Sequence, residues 1–208
     1  QSAALLITSV GKARDLGIAE QQWIFPHGFA QSTEHPLFQR PDVSTSLAMQ
    51  AVMKNTLAMA NTSIDGIDLI DIYSCFPCAV STVCEALNLP TDGSRSLTLT
   101  GGLPFFGGPG NNYSMHGLAE MSRQLRDKPA ARGLLTANGG MLSKHAAIVL
   151  SRQPATIDWQ ASTSHTLAAE SFPFLPEAQA PNGGTVVSHT VQYKRGAAQQ
   201  AVIIAEQN

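Results

Sequence analysis

Two of the three cysteines stand in the motif Cys75-Phe76-Pro77-Cys78, directly after an apolar run that ends at Tyr73. A strand passing into a helix with Pro77 near its first position puts Ser74 and Cys75 at a strand-to-helix corner. Helix N-terminal amides favour an anion there and are expected to lower a thiol pKa. The same spacing matches the C-x-x-C of dithiol redox proteins, which also sit after a strand at a helix start. The cysteines read equally as small packing residues in a tight corner. No second C-x-x-C and no Cys/His cluster at ligand spacing accompanies them, so no metal site is expected.

A second group lies in residues 101–117, GGLPFFGGPGNNYSMHG. Five glycines and two prolines within ten residues demand special backbone angles or the close approach of another group. The helix that follows offers free N–H groups to a carboxylate, phosphate or oxyanion. His116 falls in its first turn, where an imidazole can act as a base or as a donor to an oxygen. The loop lacks the Gly-Lys-Ser/Thr ending of a P-loop and the G-x-G-x-x-G of a nucleotide fingerprint, and it also reads as a purely structural glycine loop. The third group is TANGGMLSKHA, residues 136–146. One strand ends at Ala137, just before Asn138, and His145 opens the next, so Asn138 and His145 are both expected at one end of a sheet, where layered α/β folds bind ligands. His145 also reads as a hydrogen-bonded structural histidine.

The elements that position these groups follow from periodicity. Residues 3–8 read as a strand, residues 12–16 as a helical turn closed by Gly17, and residues 22–25 as a second strand broken by Pro26, followed by a loop over 27–41. Ser44 is the expected cap of a helix burying Met49, Val52, Met53, Leu57 and Ala60. Residues 67–73 form the expected central strand, leading into a helix over 77–87 whose inner face carries Val80, Val83, Cys84 and Leu87. A helix over 113–125 buries Leu118, Met121 and Leu125. Strands over 133–137 and 145–151 follow. The order is that of a layered α/β domain with a mixed sheet. Beyond Pro154, strand-like runs at 185–193 and 201–205 flank a turn at 194–197 and predict a small β appendage. The histidines His27, His35, His165 and His189 fall in loops or in this appendage and form no pattern.

Composition narrows the function. With 43% hydrophobic and only 13% charged residues, the 208-residue chain can bury a sizeable core, which argues against disorder. A net charge of −2 with scattered basic residues supplies no footprint for nucleic acid or an anionic membrane. No apolar run is long enough to span a bilayer and no secretion signal opens the chain, so a cytoplasmic protein acting on small molecules is expected. The start at Gln1, running at once into an apolar stretch, predicts further sequence upstream.

The three groups, in this order and spacing, resemble the C-terminal half of the thiolase superfamily over residues 1 to about 152. That family carries N-E-A-F or H-D-C-F at a strand corner, then a helix, then S-G-G…G-H-P-x-G, a helix, and a strand ending in a cysteine-glycine turn. Here Tyr73-Ser74-Cys75-Phe76, the pair Gly101-Gly102 with Gly107-Gly108-Pro109, and Thr136-Ala137-Asn138-Gly139-Gly140 take those places. The wording G-G-L-x-F-F-G-G-P-x-N-N-Y-x-x-H with T-A-N-G-G-x-L-x-K-H is similar to thiolase-like proteins of type 1, which are acetyl-CoA acetyltransferase-like and carry an extra C-terminal β domain. The resemblance implies three parts: residues 1–35 as the last strands of an incomplete N-terminal half-domain, 36–154 as the C-terminal thiolase domain, and 155–208 as the added β domain.

The resemblance also implies a CoA thioester substrate and an acyl-accepting cysteine upstream of Gln1, in a half that this one would stack against; a homodimer is the other expected partner. Gly107, Gly108, Asn111 and Asn112 are then expected to hold the CoA thioester. Two departures stand out: Gly108 replaces the G-H-P histidine, and no cysteine occupies the third motif. His116 and His145 become the candidate base or donor, Asn138 a donor, and Cys75 a secondary candidate. A non-catalytic acyl-CoA-binding or assembly protein is the alternative that these departures keep open.

Overall fold

The computed structural model describes residues 1–155, 157, 166–179 and 182–207. His165 lies outside them. A five-stranded mixed sheet in the order β2-β3-β4-β1-β5 carries the structure. Its strands are β1 (Phe25–Thr33), β2 (Leu69–Asp71), β3 (Arg132–Gly139), β4 (Lys144–Ser151) and β5 (Thr166–Leu167). β3 and β4 form an antiparallel hairpin, β1 runs antiparallel to β4, and β2 and β5 pair in parallel with β3 and β1.

Helices cover both faces because alternate residues of the strands are apolar on both. On one face α2 (Leu47–Met59) and α3 (Pro77–Leu87) bury Met49, Val52, Met53, Val83 and Leu87 against Ile70, Ile72, Leu134 and Val149. On the other, α5 (Tyr113–Asp127) buries Met121 and Leu125 against Leu69, Leu135 and Leu150. Two short helices complete the set: α1 (Val10–Asp15), followed by Gly17 at φ +67°, and α4 (Leu103–Phe106) inside the glycine-rich loop.

Several expectations need correction. Residues 3–8 form no strand, and Leu6 and Ile7 are 72% and 90% exposed, since an extended segment without a neighbouring ladder gains neither hydrogen bonds nor burial. Pro26 does not break a strand at 25: β1 runs from Phe25 through His27 to Thr33, with a register shift between Pro26 and Gly28 that accommodates the missing N–H. Residues 25–33 thus share a sheet with the strands of residues 36–154. Gly28 is small for packing reasons, because a Cβ there would stand 2.7 Å from the backbone N of Ala60 and closer still to the Thr56 carbonyl of α2. The cap of α2 is Ser46, whose hydroxyl accepts from Met49 N at 3.1 Å; Ser44 instead closes a local turn on Asp42. β2 is an edge strand, not a central one. Its burial comes from helices on both faces, and Ile72 N–H donates to Leu97 O at 2.9 Å beyond its end.

The appendage is a hairpin of β6 (Thr185–Lys194) and β7 (Ala197–Glu206), closed by Arg195 and Gly196, both at positive φ. β7 starts earlier than the expected 201. No helix among the described residues is long and apolar enough to cross a membrane.

Candidate functional site

β2 ends at Asp71 and α3 begins at Pro77, with Phe76 as its N-cap, so the chain turns between them over residues 72–76. This corner touches both of the other sequence groups. The Cys75 thiol donates to Oδ1 of Asn138 at 3.1 Å, and Asn138 Nδ2 lies 3.5 Å from the Tyr73 carbonyl. Beneath them, Tyr73 N–H donates to the Thr136 hydroxyl at 3.1 Å, so the end of β3 is pinned to the end of β2. On the other flank Ser74 Oγ accepts from Leu103 N at 3.0 Å. Gly102, at φ +80°, is required there, since a Cβ would sit 2.7 Å from Ser74 Oγ.

Tyr113 joins this corner to His116. Fully buried, its ring meets Tyr73 and Phe106 edge-on at 5.5 and 6.0 Å, and Phe106 in turn lies 5.1 Å from the His116 ring. The Tyr113 hydroxyl is held by Thr100 Oγ1 at 2.6 Å and donates to Asp71 Oδ1 at 3.2 Å. The same Asp71 oxygen accepts from Leu99 N and the Thr98 hydroxyl at 2.9 and 3.0 Å, while Oδ2 has no hydrogen-bond partner among the described residues. Burial pushes the Asp71 carboxyl above its ordinary range, outweighing those three donors. This network was hidden in the sequence; its one signal is an aspartate inside the apolar run 69–73.

His116 is nearly buried in the first turn of α5, with Nε2 3.3 Å from Asn112 Nδ2. When that amide donates, Nε2 accepts and Nδ1 carries the proton. Asn112 is therefore turned inward, while Asn111 and Gly108 are exposed and Gly107 ends α4 at φ +93°.

Two expectations about the site change. The Cys75 thiol is raised, not lowered: burial dominates over the Phe76 N–H, which favours the thiolate, and Cys75 lies one residue outside the N-cap. All three cysteines are free, with Cys78 exposed. His145 is indeed the register partner of Asn138, but its imidazole is bonded at the start of α2 and to the turn that follows β3. Nε2 lies 3.0 Å from the Leu142 carbonyl and 3.1 Å from Ser46 Oγ, with Glu34 3.8 Å away. Since a carbonyl only accepts, Nε2 carries the proton, and burial lowers the pKa of the ring below its ordinary value. A hollow of about 460 Å³ adjoins Asn138 on the sheet, lined also by Thr33, Gly139, Lys144 and Thr166.

No family model and no curated protein matches the chain. Among solved structures, a monomeric SCP2-thiolase-like protein type 1 from Mycobacterium smegmatis superposes with a TM-score of 0.85 at 37% identity over 96% of the chain. The chain belongs to the thiolase superfamily. It spans 45% of the length of that mycobacterial protein. In this thiolase-like chain the corner, the glycine loop and the end of β3 therefore meet around Tyr73, Cys75 and Asn138, and His116 joins them through Phe106 and Tyr113, whereas the His145 ring is bonded to Ser46 and the Leu142 carbonyl.

Proposed function

We propose that this chain supplies the donor and base groups of an acetyl-CoA acetyltransferase-like acyl-transfer site, with the acyl-accepting cysteine contributed by residues outside 1–208. The observation that carries the reading is the contact of Asn138 with both Cys75 and Tyr73, which brings a side-chain amide to the strand-to-helix corner. Acyl transfer from a CoA thioester needs two things: a donor where negative charge develops on the thioester oxygen, and a base that takes a proton from the attacking thiol or α-carbon. Asn138 Nδ2 is the donor, free to turn from its long contact with the Tyr73 carbonyl toward a substrate oxygen. His116 is the base, once the Asn112 amide releases Nε2. The glycine loop at 107–112 is the part placed to hold the CoA portion. The raised thiol of Cys75 suits it to donating a hydrogen bond rather than to attack.

The test is thiolysis of acetoacetyl-CoA by the full-length protein. His116→Ala is expected to lower kcat by about 10²–10⁴-fold, the range for a lost general base. An unchanged rate removes His116 from the chemistry. A second reading, acyl-CoA binding without turnover, is favoured by Gly108 at the position of the family histidine and by the thiol held protonated at Cys75. Calorimetric binding of acetyl-CoA with no thiolysis by the wild type would select it.

A further inference from the structure

Immediately after Asn138 the chain makes a turn in which Gly140, at φ +62°, is at ease but one residue is not. Leu142 has φ +51°, a left-handed conformation that leucine rarely adopts. Such a residue persists only where its surroundings over-determine it, and here they do. Arg40 Nη2 donates to the Leu142 carbonyl at 2.8 Å and to that of Met141 at 3.2 Å. His145 Nε2 donates to the same Leu142 carbonyl at 3.0 Å. The next carbonyl, of Ser143, accepts from Glu34 N at 2.9 Å.

The guanidinium is itself fixed. Arg40 is 6% exposed, its Nε donates to His35 O at 2.9 Å, and its Nη1 stands 3.7 Å from Glu34 Oε2. Glu34 is anchored in turn at the start of α2, accepting from Leu47 N at 3.1 Å and Ala48 N at 3.4 Å and from the Ser46 hydroxyl. A rigid path therefore runs from the α2 N-terminus through Glu34 and Arg40 to the turn at 139–143, and from there to Asn138. Only a planar guanidinium fork can hold His35, Met141 and Leu142 together while facing a carboxylate.

We propose that Arg40, oriented by Glu34 and backed by His145, is a positioning residue: it holds the 139–143 turn in its strained form and so places Asn138 against Cys75. Its consequence for catalysis rests on the acyl-transfer reading above; the placement of Asn138 does not.

The test reads Asn138 through its neighbour. In the full-length protein, the iodoacetamide reactivity of Cys75 is measured by peptide mass spectrometry, with exposed Cys78 as the internal control. Arg40→Met is expected to change the Cys75 rate by about fivefold, the weight of roughly one hydrogen bond, and to leave Cys78 unaltered. Adding Leu142→Gly should return the Cys75 rate to the wild-type value, because glycine adopts positive φ without being held. Where Arg40→Met does not fold, Arg40→Lys is read in the same way, since an ammonium keeps the charge beside Glu34 but loses the fork. An unchanged Cys75 rate in a folded Arg40 variant, or a changed rate that Leu142→Gly does not restore, overturns the proposal. If the rescue works while Asn138→Ala leaves thiolysis intact, the positioning role stands and the acyl-transfer reading falls.

Discussion

Asp71 offers a prediction that follows from burial alone. Its side chain is fully buried, one oxygen accepts three hydrogen bonds and the other faces Gly117 with no hydrogen-bond partner among the described residues. The folded carboxyl therefore titrates above the ordinary 3.8, which means that the folded state binds its proton more tightly than the unfolded state does. Stability from this group is full below pH 3.8 and is lost as pH rises through the folded pKa. The slope reaches about 1.4 kcal/mol per pH unit inside that window. Asp71→Asn keeps the accepting oxygen and cannot ionise. It leaves an unpaired N–H beside Gly117 at a cost of about 1–3 kcal/mol, which does not vary with pH. In urea unfolding of the full chain, the stability of Asp71→Asn minus that of the wild type should climb from pH 3.8 upward and then level off. A difference that stays flat from about pH 3.5 to pH 7 would refute the argument, because only a shifted carboxyl can generate that slope.

Gly28→Ala should destabilise the protein by about 3 kcal/mol or more, at the upper end for overpacking, since the new methyl meets backbone atoms of Thr56 and Ala60 that cannot rotate away; thermal unfolding checks it. His145 has a depressed folded pKa, so the stability it contributes is present above the ordinary 6.5 and is lost as pH falls toward the folded value. His145→Gln, which keeps an N–H near Leu142, should remove that acid-side loss, as unfolding measured between about pH 5 and 7 would reveal.

The layered α/β fold was legible because its helices carry local signals. Pro77 at the first position and the Val80, Val83, Cys84, Leu87 spacing give α3 its observed limits, Pro77–Leu87. β1 was not legible, because Pro26 and Gly28 read locally as breakers, whereas one sits at a bulge and the other at a close approach to α2. The apolar run through β2 reported burial on both faces but carried no information about sheet order. At the site, the meeting of Cys75 with Asn138 could be anticipated from strand ends facing the same way. The Glu34, Arg40, Ser46 and His145 cluster could not, since its members lie on four separate segments and only tertiary packing brings them together. His145 illustrates the difference: its register opposite Asn138 was readable, but the cluster at the start of α2 determines what its ring bonds to.

The central claim is that residues 73–76, 101–116 and 137–141 form one acyl-CoA-recognising surface. Amide hydrogen exchange of the full-length protein with and without acetyl-CoA addresses it directly. Slower exchange in all three segments on adding the thioester, with β6 and β7 unaffected, is the predicted result. Tight binding accompanied by unchanged exchange in those segments would contradict it.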